Sequence, residues 1–189
     1  MTDRPNKMLT GWRIAGWGAL AALLALPAIA MRMTPEVYWT GSDFLFAGVL
    51  LGVLGAGTEL AIVVGRSAPH KVGIAIAVLA LFLTVWINGA VGMLGSEDEP
   101  TNLAFIGMAL AGVTVGLALR FRPAAMRWVM GGISVGQFAV GLVAMLWTMP
   151  GHAVEWGVLA FFALIWGASA WCFRLAAARG RLEPRVTAG

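Results

Sequence analysis

The amino-acid sequence predicts an all-α, polytopic membrane helix bundle of about six transmembrane helices in one integral membrane domain, residues 1–189. Three observations carry this. Hydrophobic residues make up 60% of the chain and charged residues 12%, and the mean hydropathy is +0.84, all far from the values of soluble domains. Apolar runs long enough to cross a bilayer recur between short polar breaks. The basic residues alternate between those breaks: twelve of the thirteen Lys and Arg residues fall on one side of a six-span layout and only Arg32 on the other. By the positive-inside rule both termini are then cytoplasmic. Six of the nine acids, Glu36, Asp43, Glu97, Asp98, Glu99 and Glu155, fall on the opposite face. A sequence pI near 10.2 reflects this segregation, so the expected partner is the lipid bilayer and not nucleic acid.

The first span covers residues 14–30, follows Arg4, Lys7 and Arg13, and contains Pro27. At roughly 17 residues it sits at the short limit for a crossing. Its basic beginning, apolar centre and Ala28-Ile29-Ala30 also have the form of a cleaved secretory signal. Retention is the expectation, because five more spans follow that a first helix can anchor. Residues 31–42, with Pro35, Glu36, Tyr38 and Trp39, read as an external turn with aromatic anchors, and Thr40 or Ser42 can cap the next helix. That helix, residues 44–65, carries Gly48 and Gly52 at the spacing of a close-packing face.

A basic turn at residues 66–71 leads to the third span, 72–94, and then to the acids Glu97, Asp98 and Glu99 before Pro100. Thr101 and Asn102 open the fourth span, 103–119, in which Gly112 and Gly116 form a second close-packing pair. The fifth span, 124–149, holds Gly132, Gly136 and Gln137. The sixth, 153–173, is followed by a tail with Arg179, Arg181 and Arg185 that is expected to fray. Asp43-x-x-Phe46-x-Gly48 matches Asn102-x-x-Phe105-x-Gly107, which marks either a tandem repeat of hairpins or the ordinary polar start of a membrane helix.

Within this apolar background a few polar residues stand out. Glu59 is the one acid placed inside a span, and burying a carboxylate there is costly unless it is partnered, protonated or wet. It lies roughly 10 Å above Arg66, and Thr114, Ser134 and Ser169 lie about 8 to 11 Å above Arg120, Arg127 and Arg174, so four helices offer polar groups at one depth. Alternatively Glu59 snorkels to the cytoplasmic surface and pairs with an arginine. Asn88 sits about 25 Å above Lys71, out of Glu59's reach, and shares a helix face with Thr84 that Gln137 can approach from the fifth span. Such amides serve either as interhelical hydrogen bonds or as a substrate site.

Glu97, Asp98 and Glu99 are hard oxygen ligands that can hold a cation, although their spacing follows no EF-hand or zinc pattern. Ser96 and Glu99 equally fit a capping box. His70 and His152 fall on opposite faces and cannot share a metal. Cys172 is the only cysteine, which rules out an intrachain disulfide or a thiolate metal cluster. No nucleophile elbow, HExxH, P-loop or dinucleotide fingerprint occurs, so no cofactor is expected and the metal is left open.

The residues Trp86, Asn88, Ala90-Val91-Gly92, Gly95-Ser96-Glu97-Asp98, Pro100 and Asn102, with Trp39, Asp43-Phe44 and Glu59-Leu60, resemble an uncharacterised family of small polytopic inner-membrane proteins of proteobacteria. The likeness covers spans two to six, and Glu99 stands where an asparagine is more usual. It implies a bacterial inner membrane and no activity. Two functions are therefore expected. The first is a non-enzymatic structural or partner-binding protein that packs with itself or a membrane partner through glycine-rich faces. The alternative is a small transporter or a proton- or cation-binding protein using Glu59 and the acidic loop.

Overall fold

Runs of Ala, Leu, Val and Ile with few charges leave the backbone no water to bond, so each run closes its own hydrogen bonds as a helix. The structure, a computed structural model, describes residues 4–182 and the side chains of residues 11–181. The side chains of Arg4 and Lys7 and the whole of Arg185 lie outside the described residues. All regular structure among the described residues is helical: α1 Arg4–Met33, α2 Gly41–Val64, α3 Ala68–Ala90, α4 Leu103–Ala118, α5 Pro123–Val143 and α6 Trp156–Leu182. A 3₁₀ turn, Pro100–Asn102, precedes α4, and a π-helical turn, Ala144–Thr148, follows α5. Among the described residues six helices are long and apolar enough to cross a membrane, in keeping with the predicted fold class.

Several boundaries differ from expectation: α1 covers Arg4–Met33 and so takes in residues 31–33 of the expected external turn, and α3 starts at Ala68, inside the expected basic turn, with Pro69 in its first turn where a missing N–H costs no bond. α3 stops at Ala90 and not near Leu94, because Gly92 takes a left-handed φ of +79° that a helix cannot continue. α5 closes in a π turn, where the backbone widens by one residue before Pro150. α6 runs to Leu182, so Arg179 and Arg181 belong to its last helical turn, where cations favour the helix dipole, instead of a frayed tail.

The chain packs as two compact units, Met1–Ala56 and Gly57–Gly189. In the first, α1 comes close to α2 at Gly55, past the midpoint of α2, where a Cβ would lie 2.7 Å from the Trp17 ring and 2.9 Å from Leu20. Gly48 is in ordinary contact range of Leu24 and nothing lies within 4 Å of a Cβ on Gly52, so Gly55 and not the Gly48–Gly52 pair makes the close approach. α2 is started by a reciprocal cap: the Thr40 N–H donates to Asp43 Oδ2 at 2.7 Å and the Asp43 N–H returns to Thr40 Oγ1 at 3.4 Å.

In the second unit α3, α4, α5 and α6 enclose a core of Ile74, Leu81, Phe105, Met130, Phe162 and Trp166. α5 and α6 approach closely where Gly141 admits Leu159 and Trp156, and α4 meets α5 where Gly112 lies under Ile133. The expected Gly112 and Gly116 face is thus used inside the chain, with Gly116 receiving the Phe121 ring. Two hydroxyls tie helices together: Ser134 donates to the Ala163 carbonyl at 2.7 Å and Ser169 to the Gly73 carbonyl at 2.8 Å. Trp128 near the start of α5 and Trp147 in the π turn beyond its end are both exposed, as aromatic anchors at two membrane interfaces would be.

Candidate functional site

Two groups of polar residues in the unit Gly57–Gly189 could bear function: the acidic connection between α3 and α4, and the side chains inside the helices. The connection is built on Asn102. Its side chain is buried, Oδ1 accepts from the N–H groups of Met93 (3.2 Å) and Leu94 (2.9 Å), and Nδ2 donates to the carbonyls of Leu94 (3.0 Å) and Ser96 (2.8 Å). This folds Met93 and Leu94 into the core although they lie outside α3. Gly92 makes the fold possible: besides its positive φ, a Cβ there would strike the Ser96 carbonyl. Asn102 therefore organises the loop, a role beyond the opening of α4 that the sequence assigned to it.

The three acids point away from one another in role. Glu97 and Asp98 are exposed, while Glu99 is partly buried and caps the 3₁₀ turn, its Oε1 accepting from the Thr101 hydroxyl at 2.9 Å and the Thr101 N–H at 3.3 Å. The cap runs forward to Thr101 in place of the expected reciprocal box with Ser96. Thr101 Oγ1 also lies 3.0 Å from Thr148 Oγ1, and this contact joins the stretch to the π turn after α5. Among the described residues no group of three or more His, Cys, Asp or Glu side chains could hold a metal ion.

No family model, curated protein or solved structure matches this chain.

Inside the helices the polar side chains mostly bond backward along their own helix. Thr84 donates to the Ala80 carbonyl at 2.7 Å, Asn88 to Thr84 at 2.6 Å, Thr114 to Leu110 at 2.9 Å and Gln137 to Ile133 at 3.3 Å. The hydroxyl protons of Thr114, Ser134 and Ser169 are thus given to backbone carbonyls and not to Glu59, which is half-buried and engaged in an interaction of its own. Thr114 faces outward from α4. Asn88 and Gln137 do not bond each other, and the interhelical ties expected of them are made by Ser134 and Ser169. The Asn88 and Gln137 amide oxygens, like the Trp166 indole N–H, have no hydrogen-bond partner among the described residues, although all three side chains are buried.

His70 was not singled out as a site by the sequence, where it reads as part of a basic turn. It is buried, accepts the Arg66 N–H on Nδ1 at 3.2 Å, and so carries its proton on Nε2, which donates to the Phe121 carbonyl at 2.9 Å. That bond ties the start of α3 to the turn between α4 and α5.

Proposed function

We propose that this chain is a non-enzymatic multi-pass protein of the bacterial inner membrane, with cytoplasmic termini, that works by associating with a second copy or another membrane protein. One observation supports it best. Ala104, Gly107, Ala111, Thr114 and Ala118 recur along α4 at alternating spacings of three and four, and all five are exposed. Such a stripe lets a second helix approach closely, and in a bilayer close packing, not the hydrophobic effect, drives helix association. The Thr114 hydroxyl is already satisfied within α4, so the stripe is smooth and carries no open polar group.

Gly107 provides the test, because nothing lies within 4 Å of a Cβ added there. Gly107→Leu is expected to leave thermal stability in detergent unchanged and to abolish energy transfer between labelled chains as they are diluted in vesicles. A native chain that shows no transfer at any protein-to-lipid ratio, and no difference from the variant in binding a co-reconstituted partner, would rule the reading out.

A second reading, a small transporter or ion-binding protein, is favoured by the buried amide oxygens of Asn88 and Gln137, which have no hydrogen-bond partner among the described residues. Flux into vesicles that falls in Gln137→Leu but not in Gly107→Leu would support this second reading over association.

A further inference from the structure

At the arginine-bearing end of the unit Gly57–Gly189, a cavity of about 580 Å³ opens where α2 and α4 end and α3 and α5 begin. Its lining combines two chemistries: Leu60, Val63, Leu117 and Phe121 supply an apolar wall, and Arg66, Arg120 and Arg122 supply positive charge. All three arginines are exposed, and among the described residues none of their guanidinium groups has an acidic partner or a hydrogen-bond acceptor. Two other arginines at this end are engaged with aromatic rings: Arg127 lies 5.1 Å over Trp128 and Arg174 5.0 Å over Trp171.

The arrangement is held in place against backbone preference. Arg120 (φ 49°) and Phe121 (φ 51°) are both left-handed, which residues with a Cβ rarely adopt in succession. The turn is fixed by the His70 bond to the Phe121 carbonyl and by the Phe121 N–H, which donates to the Gly116 carbonyl at 2.7 Å. It brings Arg120, Phe121 and Arg122, consecutive in the chain, all into the lining of the cavity.

We propose that this pocket binds an anionic phospholipid, its phosphodiester held by Arg66, Arg120 and Arg122 and its acyl chains lying along Leu60, Val63 and Leu117. Guanidinium forks match phosphate oxygens bidentately, and a group of basic residues beside membrane helices is the arrangement that recognises anionic headgroups. A free phosphate would use the arginines alone and leave the apolar wall without a role. A zwitterionic lipid would cover the wall and place its own cation against three positive charges. The inference stands apart from the association proposed through α4, and it holds whichever leaflet this end faces.

The test uses the full chain purified in a neutral detergent, with thermal unfolding followed on adding short-chain phosphatidylglycerol, short-chain phosphatidylcholine or inorganic phosphate. Phosphatidylglycerol is expected to raise the midpoint at concentrations where the other two do nothing. A basic residue near an anionic headgroup gives roughly a fivefold gain in affinity, so the triple variant Arg66→Gln, Arg120→Gln, Arg122→Gln should bind phosphatidylglycerol roughly a hundredfold more weakly. The double variant Arg127→Gln, Arg174→Gln should bind it as the native chain does. If the triple variant does not fold, Arg66→Gln alone, outside the strained turn, should show about a fivefold loss. Equal stabilisation by phosphatidylcholine, a matching response to inorganic phosphate, or unchanged binding in the folded arginine variant would each overturn the proposal.

Discussion

Asn102 uses both lone pairs of its amide oxygen and both amide protons on the backbone of a single loop. Removing it strands groups that are buried with it, which costs more than the bonds themselves contributed. Asn102→Ala should therefore destabilise the protein by about 3 kcal/mol in a denaturant titration, with the Met93 and Leu94 amides losing protection from hydrogen exchange. Asn102→Asp is expected to be nearly as harmful: it keeps the acceptor but turns a carboxylate oxygen toward the Leu94 and Ser96 carbonyls. An Asp variant as stable as the native chain would show that the two donated bonds contribute nothing. The polar residues inside spans, Glu59, Asn88 and Gln137, were legible in the sequence because a lone amide or acid stands out in an apolar run. Their partners were not, since four-residue back-bonding to the helix satisfies an amide proton without any neighbour. Asn102 and His70 were missed for a different reason: each serves a stretch whose folding depends on contacts that no periodicity records, in His70's case a carbonyl 51 residues away.

Among the helices, the glycines separate into those that another element presses on and those that face outward. A Cβ at Gly112 would stand 2.7 Å from Ile133 Cδ1, whereas one at Gly107 on the same helix meets nothing within 4 Å. Gly112→Leu is thus expected to lose about 1 to 3 kcal/mol through overpacking between α4 and α5, and Gly107→Leu close to none. Equal melting temperatures for the two would count against the packing described for α4 on α5. On α2, Gly55→Leu should be worse than Gly52→Leu, because Trp17 and Leu20 occupy the space at Gly55. The sequence marked Gly112 and Gly116 correctly as a pair but marked Gly48 and Gly52 on the same spacing rule. Spacing identifies a face; which neighbour reaches that face depends on the rotation of each helix, and α2 is apolar all round, so its pattern contains no rotational signal. Helix ends were legible where proline or a charge stops the run, as at Pro123, and were misjudged where apolar residues continue past the end, as Met93 and Leu94 do after Ala90.

At the scale of the molecule, six spans and their charges together predict that residue 67 and residue 96 lie on opposite sides of the membrane. Arg66, Lys71, Arg120, Arg122 and Arg127 cluster at one end of α2 to α5, and the acids Glu97, Asp98 and Glu99 at the other. Inverting the chain would place that whole set of cations outside, against the bias by which short loops are oriented during insertion. The native thiol must be removed first, and Cys172→Ala is suited to this because Cys172 is a free, partly buried packing residue beside Gly73. In that background Ser96→Cys, at an exposed loop position, should react with a membrane-impermeant maleimide applied to intact cells. Ser67→Cys, at the start of α3, should react only after the membrane is opened. The opposite pattern would invert the topology, and labelling of both from outside would mean that α3 does not cross the membrane.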